Sequence, residues 1–392
     1  MEQVVIVSGV RTAIGDFGGS LKDVAPTELG TKVIAAAIER AGIAPSDVGH
    51  VVMGNVIPTE VKDMYLSRVA AVGAGIPVEV PAMNVNRLCG SGLQAVVSAV
   101  QSVAAGDCAI AVAGGAESMS RAGYLMPAMR WGARMGETPV IDMMLGALHD
   151  PFGNGHMGIT AENVAARFGI DRQAQDEFSA ESHRRAAAAI AAGYFKDQIL
   201  PIEIMVKKQP VAFATDEHVR ADVNKDSLAG LRPAFKKDGS VTAGNASGLN
   251  DGAAALVLMS ESEAKRRGLK PMARVKGYAH AGVAPEVMGL GPIPAVKTLL
   301  AKTGWTVSDL DVIESNEAFA AQACAVSKEL GLPTEKVNPN GGAVALGHPI
   351  GATGAIVLTK LIYELARTGG KNGIATLCIG GGQGIALAVE RI

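Results

Sequence analysis

Ser46-Asp47-Val48-Gly49-His50-Val51 returns late in the chain as Ser308-Asp309-Leu310-Asp311-Val312-Ile313. Each copy is preceded by a segment that reads as a strand and then a helix closed by glycine. In the first, a strand over 4–8 leads to a helix over 26–41 with Gly42 as its stop; in the second, 273–278 leads to 294–304 with Gly304. Asp47 precedes Cys89 by 42 residues and Asp309 precedes His348 by 39. A later strand in each copy, 109–113 and 374–379, runs into glycines. Four matches in the same order imply two packed, similar halves. Short apolar strands alternating with helices make each half α/β, with largely parallel sheets covered on both faces.

Asn86-Arg87-Leu88-Cys89-Gly90-Ser91-Gly92-Leu93 sits where the first half turns from a strand ending at Val85 into a helix with Leu93, Val96, Val97, Val100 and Val103 on its apolar face. A thiol at a helix N-terminus faces unpaired N–H groups and the positive end of the macrodipole, which favour thiolate. The neighbouring glycines let backbone or ligand approach. Cys89 is therefore a candidate nucleophile, against the plainer reading of a buried apolar filler.

Composition narrows the classes. The 392 residues exceed one ordinary core, 48% of them are apolar, and the net charge of -2 offers nothing to nucleic acid or an anionic membrane. No apolar run reads as long enough to cross a bilayer, and the N-terminus enters a strand without a signal-peptide pattern, so a cytoplasmic protein is expected. The cysteines at 89, 108, 324 and 378 lack metal-ligand spacing, so no metal site is expected.

The second half carries its own chemistry. His348 lies in the glycine-dense Asn338 to Gly354 stretch ahead of a helix, without the G-K-[ST] or G-x-G-x-x-G pattern of a nucleotide loop. It takes the place that Cys89 holds in the first half. If the halves pack about a pseudo-two-fold axis, the two helix starts face each other and a Cys–His pair forms an activated nucleophile. Cys378, either a core cysteine or a functional one, ends the last buried strand before Gly380-Gly381-Gly382, whose N–H groups suit an oxyanion hole. Asn316, in Asn316-Glu317-Ala318-Phe319, can orient a water or a carbonyl, or cap a helix.

Between the halves, 119–249 differs in character. A Met- and Arg-rich stretch is followed by helices over about 160–168 and 171–192, with Thr160 and Asp171 as N-caps and Gly193 as a stop. A loop-rich basic region then holds Lys207, Lys208, Arg220, Lys225, Arg232, Lys236 and Lys237, either a solvated surface or a holder for a phosphorylated cofactor. The expected division is an N-terminal half of 1–118 with about 250–270, an insert of 119–249, and a C-terminal half of 271–392.

The motifs at 86–92, 316–319, 338–354 and 378–384 together resemble the signatures of the thiolase family over the whole chain, most closely the short-chain biosynthetic type, the acetyl-CoA acetyltransferases and the β-ketothiolases of polyhydroxyalkanoate synthesis. The resemblance implies a duplicated five-layered αβαβα core with an inserted loop domain. It implies acyl transfer and Claisen condensation of acyl-CoA with acetyl-CoA, and the reverse thiolysis, with coenzyme A as substrate and no bound cofactor. By resemblance Cys89 is acylated with help from His348 and Cys378 moves the α-proton. His348 with a water held by Asn316 makes one oxyanion hole, and the N–H groups of Cys89 and Gly380 make the other. The same resemblance assigns His156, Met157, Ser247, Phe319 and Met288 to pantetheine and acyl contacts, Arg220 and Ser227 to the adenine and phosphates, and 121–144 to a homotetramer contact. Chain-length preference and direction stay open, as does a Cys89–Cys378 disulfide under oxidation. A decarboxylating ketoacyl synthase would use Cys-His-His, a carrier would have lost the catalytic groups, and a Rossmann dehydrogenase needs a fingerprint this chain lacks.

Overall fold

Nine residues, Val4–Thr12 (β1), are buried without exception, so this strand is covered on both faces. The computed structural model describes residues 2–392 and places β1 at the centre of the molecule. The first half adds the outer helix Pro26–Ala41 (α1), the strands His50–Gly54 (β2) and Ala82–Val85 (β3), the helix Ser91–Ala105 (α2) and the strand Ile110–Ser118 (β4). Gly42 closes α1 in the left-handed region at φ 67°, as its position suggested.

The insert contributes the helices Met157–Phe168 (α3) and Arg172–Ala191 (α4) before the chain returns as Asn250–Ser260 (β5). The second half follows with Ala273–Gly282 (β6), Pro292–Thr303 (α5), Val312–Ser315 (β7), Ala320–Leu330 (α6), Thr353–Thr368 (α7), Asn372–Ile379 (β8) and Gln383–Arg391 (β9).

Strands of the first half run in the order β3-β2-β4-β5-β1, and those of the second in the order β7-β8-β9-β6. Under the repeat β2 corresponds to β7, β4 to β8, β5 to β9 and β1 to β6, so both halves share one order. An isolated bridge from Val337 to Ile313 stands where β3 pairs with β2. Among the described residues the two sheets pair at Val5↔Arg274 and Ile6↔Ala273, beside the Met272 N–H that donates to Ile6 O at 2.8 Å. Helices α2 and α7 pack on each other and on strands between the sheets, α1 covers the outside of one sheet and α5 the outside of the other. This is the layering αβαβα.

Two expectations about the sheets need correction. Among the described residues β2 runs parallel to β3 and β4, β7 runs parallel to β8, and the short strand Ile199–Leu200 runs parallel to β1, whereas β1, β5 and β9 are antiparallel to the other long strands beside them, making a mixed sheet. Burial on both faces erases the alternation that distinguishes strand directions in sequence. The glycines after 113 also do not end a strand: β4 runs through them, because a Cβ on Gly114 would lie 2.0 Å from Ala254 O of β5. The glycine permits that close approach.

In the insert, α3 begins earlier than expected. Its N-cap is His156, whose Nδ1 accepts the Gly158 N–H at 3.0 Å, while Thr160 donates back to Met157 O. Asp171 does cap α4, accepting from Ala174 N–H at 2.8 Å, and the helix ends at Ala191, two residues before Gly193. The basic region is less irregular than read: Ile202–Val206 and Gln209–Phe213 form a hairpin turning at Lys207 and Lys208, both with positive φ. A fully buried ion pair ties insert to core, with Arg11 of β1 donating to both oxygens of Asp216 at 2.7 and 2.9 Å. The window Leu88–Ala105 is apolar and long enough for a membrane span, contrary to expectation, but it is essentially α2, sandwiched between the sheets.

Candidate active site

Helix α2 forms because Leu93, Val96, Val97, Val100 and Val103 recur on one face, and all are buried. Burying each contributes about 1.5–3 kcal/mol. Its start is pinned against the start of α7, so the residues just ahead of each helix, Cys89 and His348, are delivered to one cavity of about 340 Å³. The same cavity is lined by Gly380, His156, Met157, Ser247, Met288 and Phe319, which the sequence had nominated from segments far apart. Cys378 lies fully buried beneath it, in a cluster with Met157, Met288 and Phe319.

His348 is ordered through its other nitrogen. The Thr353 hydroxyl donates to Pro349 O at 2.9 Å, so its oxygen accepts at 2.7 Å from His348 Nδ1–H. That assigns the tautomer and leaves Nε2 as a bare acceptor, buried and without a partner. Burial pushes the imidazole down to about 4, so it is neutral and Nε2 is open to accept a hydrogen bond. Its backbone N–H donates to Asn250 Oδ1 at 2.8 Å.

At Cys89, which is half-buried in the cavity wall, desolvation opposes the expected thiolate. Burial pushes the thiol up to about 11; the N–H groups of Gly380 and of Cys89 itself, both aimed at the sulfur, oppose this, and the nearby Glu117 charge reinforces it. Desolvation outweighs the helix start. Cys378 is raised further, by burial first and by Cys89 second, which also places the two sulfurs within each other's field.

Asn316 follows β7. Its backbone N–H donates to Thr376 O at 2.9 Å, yet both side-chain atoms are buried and unpaired. An orphaned buried amide is costly in a finished core and usual where a water or ligand completes the site. Arg220 and Ser227 are not brought to the cavity: both are exposed on the insert, and Ser227 is engaged in the cap of the short helix Lys225–Ala229.

Sequence reading missed Phe235, which stacks on His156 at 4.6 Å, and also Leu148 and Ile350 in the wall. Nothing in their spacing marks them. It also missed Glu117, whose carboxyl burial pushes up to about 8 against the N–H groups it accepts. The thiol, bare imidazole nitrogen and second thiol around an apolar cavity can form and resolve an acyl-enzyme while moving a proton to carbon.

Comparison with known proteins agrees with this architecture. The model described as Thiolase, N-terminal domain matches residues 4–262, and Thiolase, C-terminal domain matches 269–391. Beta-ketothiolase BktB of Cupriavidus necator is 63% identical over 391 residues, spanning 100% of this chain and 99% of that one. An acetyl-CoA acetyltransferase of Chromobacterium violaceum is 54% identical, spanning 99% and 100%. Among solved structures, the Bacillus anthracis acetyl-CoA acetyltransferase superposes with a TM-score of 0.98 at 49% identity, covering 100% of this chain and 99% of that one. Human mitochondrial 3-ketoacyl-CoA thiolase in complex with CoA gives 0.96 at 41%, covering 100% and 98%. With both halves matched and the fold shared end to end, the chain belongs to the thiolase family.

Proposed function

We propose that Cys89 is the acylated nucleophile, His348 its base, and Cys378 the group that carries the proton to and from carbon. The chain is an acyl-CoA-using transferase that condenses two acetyl-CoA, or an acyl-CoA with acetyl-CoA, to a 3-ketoacyl-CoA, and runs the reverse thiolysis. The observation that carries the assignment of roles is the bare, buried Nε2 of His348 sharing a cavity with a thiol that is protonated at rest.

In thiolysis, His348 takes the Cys89 proton and the sulfur attacks the 3-keto carbonyl. The alkoxide is stabilised in one of two donor sets: Nε2–H of the now protonated His348 with a water on Asn316, or the N–H groups of Cys89 and Gly380. Collapse breaks the C2–C3 bond, and the departing enolate takes its proton from Cys378. The Cys378 thiolate then deprotonates incoming CoA, whose sulfur attacks acyl-Cys89. The released Cys89 recovers its proton from His348. Condensation is the same path reversed, and the raised Cys378 suits it because a carbon acid is matched best by a strong sulfur base.

His156, Met157, Ser247, Met288 and Phe319 take the pantetheine and acyl ends of CoA. Arg220 and Ser227, outside the cavity, take its adenine and phosphates. Met157 and Met288 leave the acyl wall adaptable. We take 1–118 with about 250–270, 119–249 and 271–392 as N-terminal half, insert and C-terminal half. A homotetramer, a dimer of dimers, is supported by the exposed Tyr124, Met129, Trp131 and Met135 on the 121–144 excursion. Four unbridged cysteines suit a cytoplasmic setting.

The test is CoA-dependent cleavage of acetoacetyl-CoA beside 3-ketovaleryl-CoA, with Cys89→Ala as control. Cleavage of both, lost in the variant, supports a pocket wider than acetyl and a polyester-precursor role. Acetoacetyl-CoA alone means a strict acetoacetyl enzyme, and no cleavage with CoA still bound means a carrier.

A further inference from the structure

Glu117, near the end of β4, takes no part in the chemistry above, yet its carboxylate is wholly buried. Oε1 accepts Asn55 Nδ2–H at 3.1 Å and Ile57 N–H at 3.2 Å; Oε2 accepts Val56 N–H at 3.0 Å and Gly351 N–H at 2.8 Å. Four donors thus satisfy both carboxyl oxygens and oppose the burial that raises the group. Three of them belong to the loop after β2 in the first half. The fourth belongs to the second half, three residues beyond His348.

The contact at Gly351 leaves no slack. A Cβ there would lie 2.4 Å from Glu117 Oε2 and 2.9 Å from Asn55 Cα. Its carbonyl oxygen is pressed on the other side, 2.2 Å from where a Cβ on Gly115 would stand. Ahead of His348 a second buried carboxylate does the same: Glu317 accepts from Val344 N–H at 3.2 Å, Ser182 Oγ–H at 2.7 Å and Asn338 Nδ2–H at 2.7 Å. The loop bearing the imidazole is therefore held at both ends; its Glu117 end reaches the half that carries Cys89, as does the His348 N–H that donates to Asn250 of β5.

The repeat shows what this position does. Gly54 pairs with Gly115, and Ser315 pairs with Thr376. Asn55 and Glu117 stand one and two residues beyond the first pair, as Asn316 and Cys378 stand beyond the second. In the first half the asparagine amide is spent on Ala116 O at 3.0 Å and on Glu117. In the second half the amide is unpaired and a thiol replaces the carboxylate. One copy of the arrangement is open to substrate; its mirror is closed on backbone.

We infer that Glu117 is a positioning residue for the reaction, its carboxylate fixing Gly351, and through it the His348 loop, at working distance from Cys89. This rests on the roles proposed for Cys89 and His348. Glu117→Gln keeps the shape but turns one acceptor oxygen into a donor, so at least one oxygen's pair of bonds is lost.

The experiment compares wild type and Glu117→Gln in acetoacetyl-CoA thiolysis, per acylatable Cys89 and well below the melting temperature of each. The expected result is a kcat lowered about 10- to 100-fold, a KM within about threefold, and Cys89 alkylation by iodoacetamide slowed alongside kcat. A merely structural carboxylate lowers the melting temperature and leaves kcat per site unchanged, which overturns the inference. If Glu117→Gln is not recovered folded, Asn55→Ala decides: it removes one bond to Oε1, and a lowered kcat at constant KM supports the role while an unchanged kcat overturns it. Wild type that cleaves no acetoacetyl-CoA overturns the reading of the reaction; wild type that cleaves it while Glu117→Gln keeps full kcat overturns only the positioning role.

Discussion

Gly92 and Gly354 occupy matching places at the starts of α2 and α7 and abut each other's helix: a Cβ on Gly92 would lie 2.7 Å from Ala355 N, and one on Gly354 would lie 2.2 Å from Leu93 N. Both contacts are with backbone, which cannot rotate aside. This mutual approach brings the cysteine ahead of one helix and the histidine ahead of the other into one cavity.

Gly354→Ala is therefore expected to force the two helices apart, destabilising the protein by about 1–3 kcal/mol. It should also lower kcat for thiolysis more than a similarly destabilising change far from the site. Urea midpoints and initial rates on the same preparation check both.

The resting state of Cys89 gives a pH prediction. With the thiol held up to about 11 and His348 down to about 4, the thiolate fraction of the free protein rises with pH across the whole neutral range. Alkylation of Cys89 by iodoacetamide should accelerate about tenfold per pH unit from about 7 to about 9, without levelling off. A plateau beginning near neutrality would mean a preformed thiolate–imidazolium pair instead.

Two asparagines separate function from stability. Asn338 uses its amide fully, donating to Ser315 O at 2.8 Å and to Glu317 and accepting from Ser315 N–H at 2.9 Å, at a positive φ of 43°. Asn338→Ala should cost about 3 kcal/mol or more, since it strands several buried partners. Asn316→Ala strands none. Its stability should stay within about 1 kcal/mol of wild type while kcat falls about 100-fold, measured by denaturation and by thiolysis.

Much of this was legible because helix ends and repeats are written locally. Gly42 and Gly304 sit where the left-handed backbone at a helix end requires them, and the Asp47 and Asp309 turns share one pattern. Strand direction was not legible, since β1 and β5 are buried on both faces and read alike whichever way they run. The state of Cys89 was misread because a helix start is visible in sequence and the depth of the pocket around it is not. Glu117 escaped notice for the same reason: a carboxylate at a strand's end looks solvent-facing until the loops that donate to it are folded over it. The start of α3 moved because a histidine took the cap that sequence preference gave to a threonine.

The Arg11–Asp216 pair, with neither side chain exposed, should behave as a buried charge couple. Asp216→Ala leaves Arg11 uncompensated and is expected to destabilise by about 3–5 kcal/mol, whereas Arg11→Met with Asp216→Leu should recover most of that loss. Denaturant titration of the single and double variants measures it.

The sheets of the two halves meet through a two-residue pairing, Val5 and Ile6 against Arg274 and Ala273, while the halves agree in strand order. Such a chain is a dimer written as one polypeptide, and like any dimer it offers two symmetry-related crevices. At one of them stand Asn316 and Cys378, beside the cavity that Cys89 and His348 share; at the other stand Asn55 and Glu117 with its donors. Joining the halves covalently is what permits this inequality, because two identical separate subunits would have had to carry every residue twice. The chemistry proposed for this chain is thus gathered at one centre, and a lesion on either side of the axis is expected to silence it.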